Sequence, residues 1–282
     1  MKIIFSRKGF DSGSGGFPSP ILSDGRLLSL PIPDKQSSIA YKDIQWGEYN
    51  VGEIVESLTK GKIKSDYRVH LDPDLNAASI PRHKEWQPIF GQVGASQGHL
   101  RNQGITSGDL FLFFGLFQDA IIDNGKFKLN SKFSPKHIIW GWFQVETSIA
   151  VDKINRKQFE WAIYHPHFHR KPDKSNTVYL AKKTFDIPGL EGETIDGAGI
   201  FPKYSNKLQL TAPESPVSMW KLPLWMFPTN EATTLSFHTR SERWEKRDGY
   251  VLLQTVGRGQ EFVLDCSYYP GAIQWVNDLF TS

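Results

Sequence analysis

The chain has a single cysteine, Cys266, so no internal disulfide can form and no cysteine-rich zinc site can be assembled. It lacks any run of about 18 apolar residues, which excludes a helical membrane span. No apolar leader with a small-residue cleavage site follows the N-terminus, because Met1 runs straight into a short apolar segment. Neither sign of charge dominates: 33 Lys and Arg against 30 Asp and Glu leave a net +3, well short of a histone-like tail. There is no Walker A signature, no dinucleotide fingerprint and no Gly-x-Ser-x-Gly elbow. These absences describe a cytoplasmic, membrane-free globular protein that uses neither an ordinary phosphate loop nor an α/β-hydrolase triad. No internal repeat or low-complexity linker divides it. Residues 1–282 read as one α+β domain, with a mixed or antiparallel sheet and short peripheral helices.

The opening stretch, KIIFSRKGFDSGSGGFPSPIL, is where the sequence is most specific. Ile3, Ile4 and Phe5 form a buried strand that ends in a glycine-rich polar loop, the arrangement that delivers polar groups to a sheet edge. Arg7 and Lys8 supply positive charge, Ser6, Ser12 and Ser14 supply hydroxyls, and loop amides can cradle an anion. We expect these residues to bind a phosphate or nucleotide, with Asp11 carrying a proton. The competing reading is a surface turn with its charges in water.

Further along, Arg26 to Leu30 reads as a short strand and Val51 to Lys60 as a helix capped by Asn50. Residues 66–107 read as a long polar loop of the kind that carries function, and GASQGHLRNQG within it offers His99 and Arg101. Asp109 to Phe117 and His137 to Glu146 are the strongest strand signals, each broken by a glycine (Gly115 and Gly141) that suits a bulge or sharp bend. A helix is expected over Ile154 to Tyr164, with Asp152 as its cap. Thr177 to Lys182 and Glu261 to Cys266 read as strands, and Pro270 opens a last helix. MWKLPLWMF (219–227) is proline-broken and reads as irregular or short helical structure.

His165, His167 and His169 alternate, so two of them share a face in an extended chain and suit acid–base work or hydrogen bonding. As metal ligands they would need a distant third donor such as Asp119, Glu146 or Asp265. No metal site is assigned on that basis, and no motif specifies a cofactor. Lys203, Ser205 and Lys207 read as a solvated basic loop.

With these residues in view, the chain resembles the third type of nucleotide-modification-associated domain. This bacterial and phage family is known mainly from genome neighbourhoods rich in base-modifying enzymes. MKIIFSRKGFDS, the following GRLLSLPIP, GDLFLFFG, HIIWGWFQVE, the HPHF segment and GQEFVLD carry the resemblance over essentially the whole chain. It implies action on, or recognition of, bases or nucleotides, with nucleic acid or a nucleotide as partner, and it supplies no reaction. GDLFLFF with IIWGWFQVE is also similar to the strand pair of PUA-like domains. That similarity implies a barrel-like core over 108–185, with Trp140 and Trp142 stacking a base. Two functions follow. One is a nucleotide- or base-modifying enzyme using Asp11, His99, His165 or His167; the other is a non-catalytic reader of altered bases. Length and the 66–107 segment favour the enzyme, and the missing catalytic motif favours the reader.

Overall fold

The computed structural model describes residues 1–190, 194–229, 234–257 and 261–281. Its elements run β1 (Lys2–Arg7), β2 (Ser19–Ile21), the hairpin β3 (Gln45–Trp46) and β4 (Tyr49–Asn50), then α1 (Val51–Leu58). Next come β5 (Ile89–Gln92), α2 (Gly94–Asn102), β6 (Leu110–Asp123), β7 (Lys126–Leu129), β8 (Lys136–Ala150) and β9 (Thr177–Ala181). The chain ends with β10 (Ala198–Ile200), β11 (Met219–Pro223), β12 (Trp244–Lys246), β13 (Tyr250–Gln254), β14 (Glu261–Asp265) and α3 (Gly271–Phe280).

A mixed nine-stranded sheet follows the path β14-β1-β6-β8-β9-β5, with β2, β7 and β10 attached beside it. β1 lies parallel to β6 and antiparallel to β14, so the N-terminal strand is sandwiched between two neighbours and buried along Ile3, Ile4 and Phe5. β6 is long because it serves two partners in turn: Leu110 to Phe114 pair with β1, and Phe117 to Asp119 pair with β2. It then turns back into β7 through Asn124-Gly125, both with positive φ, which matches the twist of a tight hairpin. The strands are rich in Phe, Trp and Ile because a sheet covered on both faces must bury most of its side chains. Phe5, Phe90, Phe111, Phe113, Phe114, Phe143, Phe262 and Trp220 are fully buried. A second sheet, β11-β13-β12, packs Trp220 edge-on against Phe114, with ring centres 5.0 Å apart.

The two strand glycines do different work. A Cβ on Gly115 would stand 2.6 Å from the Lys8 carbonyl, so its absence lets the chain leave β1 there and begin the polar loop. Near Gly141 the β6–β8 register shifts between Phe113 and Phe114, leaving Trp140 as an extra residue, a β-bulge. Bulge and bend do not close the sheet: among the described residues no pair joins β14 to β5, and the architecture is an open α+β sheet rather than a PUA-like barrel.

Several sequence expectations are corrected. Arg26 to Leu30 is not a strand. Only Leu27 bridges, to Ile21, while Asp24 and Glu48 draw the Arg26 side chain outward. Residues 94–102 form α2 instead of a loop, bracketed by Gly94 and Gly104 at positive φ. The segment 154–164 is not an α-helix; short 3₁₀ turns replace it, with Phe159 out of helical geometry and Asn155 rather than Asp152 as a cap. Its aromatic side chains are held by a small cluster of Ile89, Trp161, Ala162, Phe168 and Val178. Residues 219–223 are strand β11, and only 224–226 form a helical turn. α1 forms as expected, with Asn50 accepting from the Gly52 amide at 2.9 Å.

Candidate functional site

Where β1 gives way to its loop, a cleft of about 280 Å³ opens. Arg7, Lys8, Asp11 and Ser14 line one side, the end of β5 and the first turn of α2 (Gly91, Gln92, Ala95, Ser96) another, and His70, Asp72, His167 and Arg170 complete it. Four separate stretches of the chain therefore meet there. The N-terminal turn of α2 adds the positive end of a helix dipole to the same wall.

Arg7 is half-buried, and its Nε has no hydrogen-bond partner among the described residues. It lies over the Phe114 ring at 5.8 Å and forms no salt bridge with a described residue. Burial lowers its pKa, with nearby Asp11 offsetting part of the effect. A half-desolvated guanidinium is costly unless an anion meets it. Lys8 differs: its ammonium pairs with buried Glu261 at 3.2 Å and sits over Phe90, so it is a structural cation rather than a free one. Asp11 Oδ1 accepts from the amides of Gly13 and Ser14 at 2.8 and 2.6 Å. The glycine loop is therefore folded around its own carboxylate, which occupies amides that an anion would otherwise use.

The floor of the cleft is a histidine–carboxylate cluster. Asp72 Oδ1 accepts from the Gly91 amide at 2.8 Å and lies 3.2 Å from His165 Nε2. Asp72 Oδ2 lies 3.5 Å from His70 Nε2 and 3.6 Å from His167 Nε2. Behind the rings, His70 Nδ1 meets Asp34 at 2.9 Å and His167 Nδ1 meets Asn176 at 2.5 Å. Burial would raise the Asp72 carboxyl, but His165, His167 and His70 outweigh it and hold it well below the usual carboxylate range. Burial pulls His167 below its ordinary value despite Asp72; at His70 the two carboxylates prevail over burial and raise it. One ligand atom each from His70, Asp72 and His167 fall within 4.8 Å of one another, a grouping able to hold a metal ion.

Of the residues named from sequence, Arg7, Lys8, Asp11, Ser14 and His167 line the cleft, and His165 supports it from behind Asp72. Ser6 is buried in β1 with its hydroxyl unpartnered among the described residues, and Ser12 is exposed on the loop. His99 and Arg101 are elsewhere. α2 turns His99 onto Phe237 and Ser236, its Nε2 3.0 Å from the serine hydroxyl, and leaves Arg101 exposed. Trp140 is buried and stacks on Phe113; Trp142 donates to the Asp196 carbonyl and packs against Phe201 and Phe280. Neither tryptophan lines this cleft. His169 is exposed, while Asp119 pairs with Lys136 and Asp265 caps Ser267. Lys203, Ser205 and Lys207 are exposed, as a solvated loop requires. Sequence reasoning missed His70, Asp72 and Arg170. The signal for the first two was VHLDPDL, where alternation puts His70 and Asp72 on one face of an extended segment.

Fold and cleft thus define a mixed α+β protein in which a cationic edge stands over a buried histidine–carboxylate floor. The chain belongs to the family of nucleotide modification associated domain 3, whose model matches residues 2–265 of the 282. Gly259 and Gln260 of the GQEFVLD motif lie outside the described residues. No curated protein and no solved structure shows significant similarity to it. Among the described residues no helix is long and apolar enough to cross a membrane.

Proposed function

We propose that this protein is an enzyme that modifies a nucleotide or a nucleic-acid base, and that it binds the substrate by a phosphate in the Arg7 cleft. The observation that carries this reading is the half-buried Arg7 guanidinium, which forms no salt bridge with a described residue and is only partly compensated by nearby Asp11, on the cleft it shares with His70, Asp72 and His167. A phosphate there would gain charge-assisted hydrogen bonds from Arg7, with Arg170 and the α2 N-terminus reinforcing the field. The sugar or base would then lie against the histidine–carboxylate floor, where a proton or an activated oxygen can be handled. Asp11 holds the loop in shape and sets the Arg7 environment. The reader alternative has less support, since Trp140 and Trp142 are engaged in packing away from this cleft. Family membership supports the substrate class.

The test is equilibrium binding of nucleoside monophosphates and a short DNA oligonucleotide to wild type, Arg7→Gln and Arg170→Gln. Affinity should fall at least tenfold in Arg7→Gln with little change in thermal stability. For the oligonucleotide, log affinity should decline by about 0.7–0.9 per phosphate contact per decade of salt. Equal affinity in wild type and Arg7→Gln, or no binding by folded wild type, would sink the proposal.

A further inference from the structure

With both rings neutral, the floor of the cleft brings together acceptors that two imidazoles and a carboxylate cannot satisfy among themselves. Asn176 fixes the starting point. Its side-chain nitrogen donates to the His167 carbonyl at 2.8 Å, so its oxygen is the atom facing His167 Nδ1. Nδ1 must then carry the hydrogen, and Nε2 of the neutral ring is a lone pair. That lone pair looks at Asp72 Oδ2, a second acceptor, from 3.6 Å. At His70, Asp34, an acceptor-only carboxylate, holds Nδ1 as the donor, and Nε2, a lone pair in the neutral ring, faces the same Asp72 oxygen at 3.5 Å. Asp72 Oδ1 is already engaged by the Gly91 amide and His165, so Oδ2 is the atom left for the two rings. Three electron-pair donors, one each from His70, Asp72 and His167, thus converge within 4.8 Å of one another.

We propose that His70 Nε2, Asp72 Oδ2 and His167 Nε2 bind a divalent first-row transition metal, zinc or ferrous iron, with its remaining positions open to the Arg7 cleft. Two nitrogens and one oxygen suit such an ion; magnesium and calcium take shells of oxygen. Asp34 and Asn176 stand where the outer partners of metal-bound histidines stand, fixing the ring tautomer and orientation. An ion about 2.0–2.2 Å from each donor holds donors roughly 3.0–3.5 Å apart; the two rings already stand 3.5 and 3.6 Å from Asp72 Oδ2, and all three donors lie within 4.8 Å of one another. On its open side the ion would take a water or a substrate oxygen and lower the pKa of that water. The inference deepens the nucleotide reading by naming what stands on the cleft floor, and metal binding itself requires no nucleotide.

The experiment uses the full chain stripped with a chelator and titrated with zinc or cobalt alone. One equivalent should bind, cobalt should give a visible d–d absorption band, and the thermal midpoint should rise with zinc. Asp72→Asn and His167→Gln should each weaken binding by about 100-fold or more, while His169→Gln, on the exposed neighbour, should bind like wild type. Far-UV circular dichroism checks folding, and His70→Gln serves as a further ligand variant should either of the others fail to fold. Less than a tenth of an equivalent on folded wild type would overturn the site. A cobalt spectrum unchanged in folded ligand variants would do the same, leaving an imidazolium–carboxylate cluster. Because nucleotide is absent from these titrations, a failure here leaves the Arg7 result standing, and a failure there leaves this one.

Discussion

Gly91 shows how much one missing atom can decide. A Cβ there would stand 2.2–2.6 Å from three atoms of the His167 ring, while its amide donates to Asp72 at 2.8 Å. The residue thus admits one member of the cluster and anchors another. We expect Gly91→Ala to cost about 1–3 kcal/mol through overpacking and to push His167 away from Asp72. Urea denaturation reads the first effect, and cobalt absorbance reads the second. A variant with wild-type stability and spectrum would show that the ring can step aside freely. In the sequence, Gly91 was one glycine among 24. Its strand position was legible only as a weak hint of close approach, because the ring it accommodates comes from 76 positions away.

At the scale of elements, the long polar segment before α2 owes its order to Arg82. The guanidinium holds Asp74 with two bonds of 2.6 Å, reaches the Tyr164 hydroxyl at 2.7 Å and lies over Trp86 at 4.5 Å. Tyr164 in turn contacts Asp74 and Trp86. The network ties the segment bearing His70 and Asp72 to the one bearing His165 and His167. Removing the cation strands the buried Asp74 carboxylate, so Arg82→Ala should lose about 3–5 kcal/mol. Arg82→Lys should recover little, since an ammonium cannot reproduce the planar fork. Denaturant midpoints of the three proteins decide it, and a loss below about 1 kcal/mol in Arg82→Ala would show the clamp to be dispensable. No periodicity announces such a segment. Read alone it looks like loop, because its order comes from one side chain bonding across the fold.

For the molecule as a whole, buried neutral histidines set an acid limit. His137 accepts from Trp220 Nε1 at 3.0 Å, and burial, with Arg7 assisting, lowers its pKa to about 3. His238 donates from Nδ1 to the Ser236 carbonyl and accepts the Val256 amide at Nε2. Burial lowers it to about 4 against the weaker opposing effect of Ser236. Both values lie below that of an unfolded histidine, so the unfolded chain binds more protons as pH falls. Their contribution to stability is complete above about pH 6.5 and is lost on acidification, down to about 4 for His238 and about 3 for His137. Each should remove on the order of 1 kcal/mol between pH 6 and pH 5. Unfolding free energies at the two pH values should therefore fall less steeply in His137→Gln than in wild type by about that amount. Identical slopes would refute the assignment to His137. The same scale explains the open sheet: β6 and β8 carry the bend and bulge of a barrel wall, yet closure depends on which strands finally lie at the edges.

Local chemistry was written in the sequence. The apolar run of β1, the glycine loop after it, the aromatic strands β6 and β8, the Asn50 cap and the family relationship all follow from neighbouring residues and their spacing. Tertiary structure alone decided what faces what. It turned Lys8 toward Glu261, wrapped the loop amides around Asp11 and rotated His99 out of the cleft on a helix. It also brought His70 and Asp72 to His167 across nearly a hundred residues of chain. The physical reason is that propensity and capping act within a few residues, whereas a site of converging donors is made by long-range packing and by hydrogen bonds whose partners no local pattern names.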